Sequence, residues 1–293
     1  MNELTVPLFS RYTVSEAKAN DWSLVLTALD IAHEVVPDPR GCHVLVSPAD
    51  KERAELEILS YEGENNLSHK FELAPPFNVT YRSTFIVSTL LLAFHGLTIF
   101  FDGKIDFFKV GHASSLLIQQ GQWWRSVTAL TLHSDIFHAI SNVILGSIFA
   151  IALSRQIGPG LGWFLILLSG IIGNISNAFV YDSMHRSIGA STAVFGSIGL
   201  VAVLQFFVHK QSRIQKTWAP MGAALALLAF LGTGERSDIL AHFFGFISGV
   251  GLGVSSGFLL RCTGIPDIGF QRLLSIISLL FIIYSWSLAF QSN

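Results

Sequence analysis

Apolar residues along this chain gather into long runs, while polar residues occupy short connections and one block at the N-terminus. Seven apolar runs are read, at 84–101, 136–153, 161–181, 191–208, 218–232, 239–260 and 273–290. Most reach the ~17–25 residues with which a helix crosses about 30 Å of hydrocarbon. The fifth is shorter and punctuated by glycine, from Met221-Gly222 to Leu231-Gly232. None alternates apolar with polar positions, as the strands of a membrane barrel do. The pattern predicts a bundle of membrane-crossing helices.

The first 80 residues read differently, as helix, strand, strand, helix. Trp22, Val25, Leu26 and Leu29 have helical spacing within 15–30. His43-Val44-Leu45-Val46 reads as a strand, and 48–62 as an amphipathic helix starting near Asp50. Pro37, Pro39 and Gly41 suit a turn between strands. About 65 residues can close a small α+β core. No phosphate loop, metal-ligand spacing or basic patch is visible in it.

Composition sharpens this division. The chain of 293 residues is 51% hydrophobic and 13% charged, with a mean hydropathy of +0.54. Soluble domains carry about 25% charged residues. Residues 1–83 hold 7 Lys/Arg and 13 Asp/Glu, and residues 84–293 hold 11 and 7. An acidic soluble module thus precedes a membrane module. Lys+Arg of 18 against Asp+Glu of 20 leaves no basic excess, so no nucleic acid is expected as a partner. The segment 1–10 lacks a basic region followed by an apolar one, which predicts no cleaved signal peptide.

Basic residues near the helix ends give an orientation. With the N-terminus cytoplasmic, Arg82, Arg155, Lys210, Arg213, Lys216, Arg261 and Arg272 lie inside. Lys104, Lys109, Arg125, Arg186 and Arg236 then lie outside, a lean of 7 to 5. Cys42 and Cys262 both face the reducing side, so they are expected to be free thiols.

This orientation makes the second, fourth and sixth runs all descend from the outer face. Each begins with polar side chains: His138 and Asn142, preceded by His133; then Gly189-Ala190-Ser191-Thr192; then Asp238 and His242. At 1.5 Å per residue these groups share one depth, within roughly 10 Å of the interface. Ionisable groups inside spans are costly and by default mark function. His138 and Asn142, at i and i+4, share a face. His95 reads instead as a helix-to-helix hydrogen-bonding residue, and His133 as packing or loop support.

A serine hydroxyl becomes a nucleophile when a base accepts its proton, and histidine is the usual base. The oxyanion that follows needs donors, which a backbone N–H, a histidine and an asparagine supply. A Ser191–His242 dyad is therefore favoured. Asp238 precedes His242 by one turn but is expected nearer the surface. Metal is the competing use of His133, His138 and His242. The chain has no His-Glu-x-x-His, however, and its one His-Glu pair, His33-Glu34, runs into Val-Val-Pro. No metal and no cofactor are expected. Small residues favour close approach of the fourth and sixth helices: Gly189, Ala190, Ala193, Gly196 and Gly199 on one, Ala241, Gly245, Gly249 and Gly253 on the other. Phe195, one turn after Ser191, is placed to hold the His242 ring.

At these residues the chain resembles the rhomboid family of intramembrane serine proteases, over about 84–260. Trp124-Arg125 matches that family's Trp-Arg motif in a long first outer loop. His133-x4-His138-x3-Asn142 has its spacing, Gly189-Ala190-Ser191-Thr192 its nucleophile segment, and Ala241-His242-x-x-Gly245-x-x-x-Gly249 its base helix. The resemblance implies an all-α polytopic membrane protein. A six-helix protease core spans 84–260, and a further helix lies within 261–293. A small α+β cytoplasmic domain covers 1–80. It also implies Ser191 as nucleophile, His242 as base, and His138 and Asn142 as oxyanion donors. Trp124, Arg125, His133, Gly189, Phe195, Gly245 and Gly249 are implied as support. Transmembrane-helix substrates are cut near the outer face of what is expected to be a bacterial inner or plasma membrane. The loop 102–132 becomes a partly membrane-embedded hairpin, and the fifth helix with 232–238 the mobile side for substrate entry. Thr192 departs from the glycine often found after the nucleophile and is expected to crowd the substrate carbonyl. A non-cleaving protein that binds membrane clients is the alternative reading, and a channel or transporter a third.

Overall fold

The computed structural model describes residues 9–13, 15–39, 41–69, 81–181, 185–208, 222 and 238–292. The chain divides into two compact units, Met1–Glu72 and Leu73–Asn293.

The first unit is a three-stranded antiparallel sheet with two helices: β1 (Phe9–Thr13), α1 (Glu16–Ala28), β2 (His33–Asp38), β3 (Gly41–Val46) and α2 (Lys51–His69), with strand order β1-β3-β2. Ser15 caps α1 by accepting from the Lys18 N–H. Along β3 the side chains of Cys42, Val44 and Val46 are buried, the period of two that a one-sided sheet requires. They pack against Trp22 and Leu26 of α1 and Ala54 and Ile58 of α2. Three details differ from the sequence reading. β1 is an additional strand, α2 continues to His69, and Pro37 lies within β2 opposite Cys42. An edge strand has one unpaired side, so it tolerates a residue without an N–H. The turn itself begins after the Asp38–Gly41 pair.

The second unit contains α3 (Arg82–Phe100), α4 (Phe107–Gly111), β4 (Ala113–Ser114), α5 (Ser115–Gln119), α6 (Arg125–Thr128), a 3-10 turn at Ala129–Thr131, α7 (Ile136–Ile157), α8 (Pro159–Val180), β5 (Arg186–Ser187), α9 (Ser191–Val208), α10 (Ile239–Thr263) and α11 (Ile268–Gln291). Among the described residues α3, α7, α8, α10 and α11 are long and apolar enough to cross a membrane, and α9 supplies a shorter apolar helix. This is an integral, multi-pass membrane protein. The expected fifth span, 218–232, lies outside the described residues apart from Gly222, as do residues 232–237 of the expected entry side.

α9 is buried on all sides from Thr192 to Leu204, as a helix at the centre of a bundle must be. Its partner α10 approaches it glycine to backbone. A Cβ on Gly245 would strike the Thr192 carbonyl oxygen, one on Gly249 the Gly196 carbonyl oxygen, and one on Gly199 the Phe246 carbonyl oxygen. Small residues at these crossings bring the two helices together.

The segment between α3 and α7 is a packed substructure rather than an open loop. Arg125 is 1% exposed. Its guanidinium donates to the carbonyl oxygens of Lys109 and His112 at 3.2 and 3.1 Å and to Gln122 Oε1 at 2.6 Å. Thr128 Oγ1 donates to the Gly111 carbonyl at 2.7 Å. One buried side chain thus closes the segment on itself. Trp123, beside Trp124, stacks on Phe281 of α11 at 5.5 Å.

α11 also holds the turn between α7 and α8. Gln271 Oε1 accepts from the Leu161 N–H at 2.8 Å, and its Nε2 donates to the Ile157 carbonyl at 2.9 Å. One amide thereby satisfies an orphan donor at the start of α8 and an orphan acceptor at the end of α7. Gly158, at φ +90°, leaves room for that amide, and a Cβ on Gly160 would overlap the Gln271 carbonyl. Gln271→Ala leaves both backbone groups buried without partners, a cost of about 1–3 kcal/mol. The expected result is a lowered thermal unfolding midpoint in detergent, checked against Gln271→Glu, which retains only the acceptor.

Candidate active site

Three helix N-termini converge here. α7 begins at Asp135, whose carboxylate accepts from the His138 N–H at 2.9 Å. That bond first, and the Ser134 hydroxyl after it, hold the Asp135 carboxyl below its ordinary range. α10 begins at Asp238, whose Oδ1 accepts from the Ala241 N–H. α9 opens on Ser191 itself. His138, Ser191 and His242 therefore sit in first turns, where capping of α7 and α10 fixes the backbone.

Ser191 Oγ and His242 Nε2 are 2.8 Å apart. His242 is 8% exposed and Ser191 is half-buried. The Phe195 ring stacks on the imidazole with centroids 4.5 Å apart and planes inclined by 26°, so the ring cannot swing away on that side.

Gly189 has φ +124°, a conformation open to glycine. A Cβ there would lie 2.8 Å from His138 Nε2 and 3.5 Å from Ser191 Oγ. The His138 ring and the Ser191 hydroxyl thus flank one narrow space that the missing side chain leaves open. Asn142, one turn beyond His138, is buried, and its Nδ2 has no hydrogen-bond partner among the described residues. His138 Nδ1 lies 3.2 Å from Ser134 Oγ.

His133 precedes α7 and is fully buried, with Nε2 3.5 Å from the Ala190 N–H and its ring edge-on to His138 at 5.2 Å. Burial, and then His138 and His95 beside it, pushes its pKa down to about 4, so the ring is neutral near pH 7. It supports the strand of chain entering α9, as does the Gly189 N–H, which donates to the Ala129 carbonyl at 2.9 Å. His95 differs from expectation. Both its ring nitrogens are buried without a hydrogen-bond partner among the described residues, and its ring packs edge-on against His133 at 6.2 Å. It contributes shape rather than a bond between helices.

Thr192 also differs. Its side chain is 3% exposed and turned into the helix interface, where its Cγ2 meets the backbone of Gly173 and Gly245. The next residue on a helix points 100° away from its predecessor, so Thr192 packs against Gly173 and Gly245 while the Ser191 hydroxyl meets His242. Crowding of a substrate carbonyl by this methyl is not what the geometry gives.

Asp238 is half-buried and lies nearer the surface than His242, as expected, yet it is a hydrogen-bonding hub. Its Oδ2 accepts from His185 Nε2 at 2.6 Å and from Asn177 Nδ2 at 2.8 Å. Neither partner was singled out from sequence. Both lie in or after the third run at its polar end, and only their nearness to Asp238 in space distinguishes them. No group of three or more His, Cys, Asp or Glu able to hold a metal occurs among the described residues.

Fold and site define an integral membrane protein with a serine and a histidine in contact between two helices. Residues 120–257 match the family model described as Rhomboid domain. The Bacillus subtilis (strain 168) "Putative rhomboid protease YdcA" is 31% identical over 137 residues, 46% of this chain and 68% of that protein. The Toxoplasma gondii "Rhomboid-like protease 1" is 29% identical over 142 residues, 47% of this chain and 48% of that protein. The "Rhomboid protease GluP" of Bacillus subtilis (strain 168) is 30% identical over 177 residues, 58% of this chain and 32% of that protein. The chain belongs to the rhomboid family of intramembrane proteases, and it spans less than half of each of the last two relatives.

Proposed function

We propose that this protein is an intramembrane serine endopeptidase that cleaves transmembrane segments of other membrane proteins near the outer face. The contact of 2.8 Å between Ser191 Oγ and His242 Nε2 carries this reading. His242 accepts the hydroxyl proton as Ser191 Oγ attacks the scissile carbonyl carbon. The imidazolium then gives that proton to the departing amine, leaving an acyl-enzyme. Water, deprotonated by the same imidazole, hydrolyses the ester and regenerates Ser191.

The oxyanion is received in the space beside Gly189, with His138, the Asn142 Nδ2 that has no partner among the described residues, and the Ser191 N–H as donors. His138→Ala and Asn142→Ala are each expected to lower turnover by about 10²–10³. The measurement is cleavage of a single-span model substrate in proteoliposomes; unchanged turnover removes that role. Wild-type protein that yields no product while still retaining the substrate would favour a client-binding protein instead. Thr192 lends that alternative no support, because its side chain is taken up in helix packing.

The basic residues at the helix ends support a cytoplasmic N-terminus, and with it a site opening toward the outside of a bacterial inner or plasma membrane. The substrates are protein helices embedded in lipid. The small N-terminal unit has a hydrophobic core of its own.

A further inference from the structure

The catalytic dyad joins two elements that meet again nearby. We propose that His185 and Asp238 form a positioning latch, holding the start of α10 to the chain that leads into the nucleophile. The inference rests on the serine–histidine reading above.

Asp238 uses both carboxylate oxygens. Oδ1 caps α10 through the Ala241 N–H at 3.1 Å, and Oδ2 accepts from His185 Nε2 at 2.6 Å and Asn177 Nδ2 at 2.8 Å. The side chains of His185 and Asp238 are only 25% and 13% exposed, so water competes weakly for the bond. This occupancy also separates Asp238 from the third member of a triad. Among the described residues the groups around its carboxylate are Asn177 from α8, Tyr181 and His185 from the chain after α8, and His242 on its own helix.

His185 is itself held rigidly. Its N–H donates to Ser115 Oγ at 3.1 Å, and its carbonyl accepts from the Ser115 N–H at 3.0 Å. Its ring stacks on Tyr181 with centroids 3.9 Å apart and planes inclined by 12°. From His185 the chain pairs through β5 with β4 and reaches Ser191 six residues later. From Asp238, α10 reaches His242 in one turn, with the His242 N–H on the Asp238 carbonyl at 3.1 Å. Nucleophile and base therefore hang from opposite ends of one side-chain bond. Loss of that bond frees the first turn of α10, and a misplacement of about 1 Å in such a pair costs roughly 10²-fold in rate.

The test uses the full-length protein in proteoliposomes with a single-span substrate and variants His185→Ala, His185→Gln, Asp238→Asn and the double variant His185→Ala/Asp238→Asn. Asparagine still caps the helix, and glutamine still offers an N–H to Asp238. His185→Ala and Asp238→Asn should each lower kcat about 10–100-fold with KM changed less than about 2-fold. His185→Gln should recover to within about 3-fold of wild type, and the double variant should be no worse than the poorer single one. Effects that multiply, an unrescued His185→Gln, or kcat unmoved by both single changes would overturn the latch. An active wild type with silent latch variants rejects only the latch. A wild type with no cleavage rejects the protease reading and the latch together.

Discussion

Ser191→Ala and His242→Ala are each expected to reduce cleavage of a single-span substrate by about 10⁴-fold or more, to the limit of detection. The reason lies in the shared proton. Without the hydroxyl there is no nucleophile, and without the imidazole, 2.8 Å away, nothing accepts the proton during attack. Residues that act as one unit lose activity together, so the double variant should be no slower than either single one. Both alanines remove volume at half-buried or buried positions without adding any, so folded protein should survive for the comparison. Product formation followed by gel or mass spectrometry in proteoliposomes gives the answer. Substantial cleavage by either variant would reject the dyad.

The second large effect falls on a residue with no chemistry of its own. Gly249→Val puts a branched side chain where even a Cβ would collide with the Gly196 carbonyl oxygen, and backbone there cannot yield as a flexible side chain can. Overpacking of this kind costs about 1–3 kcal/mol, occasionally more. α9 and α10 must separate to admit it, and they carry Ser191 and His242. The expected outcome is a lowered unfolding midpoint together with loss of most cleavage. Gly251→Val, two residues along the same helix with nothing within 4 Å of an added Cβ, is the control and should behave like wild type in both assays. Equal behaviour of the two variants would show that close backbone approach is not what holds the pair together.

Much of this arrangement is legible in the sequence because its causes are local. Long apolar runs mark apolar helices: α9 coincides with its run, and the ends of α7, α8, α10 and α11 depart from theirs by only a few residues. The i, i+4 relation of His138 and Asn142, and the glycine spacing of α10, follow from helix period alone. What is not legible depends on distant partners. β1 is five residues long and acquires its identity by pairing with β3, some 30 positions later. The compact elements of 107–131 lack any periodic signal, since they are organised around the buried Arg125. The partners of Asp238 are not legible either, because its sequence neighbours say nothing of His185 and Asn177. The packing of Thr192 has a simpler cause: adjacency to Ser191 in sequence is a turn of 100° in space.

The helix at the C-terminal side lies wholly beyond residues 120–257, yet its contacts reach the segment that leads into Ser191. Trp286 donates through Nε1 to Thr131 Oγ1 at 3.1 Å, in the short turn whose Ala129 carbonyl receives the amide of Gly189. Trimming the chain to its family-matched portion would therefore remove two anchors, the Gln271 amide and the Trp286 indole. Fragment boundaries for any biochemical dissection belong after residue 291, not at the edge of the recognisable domain.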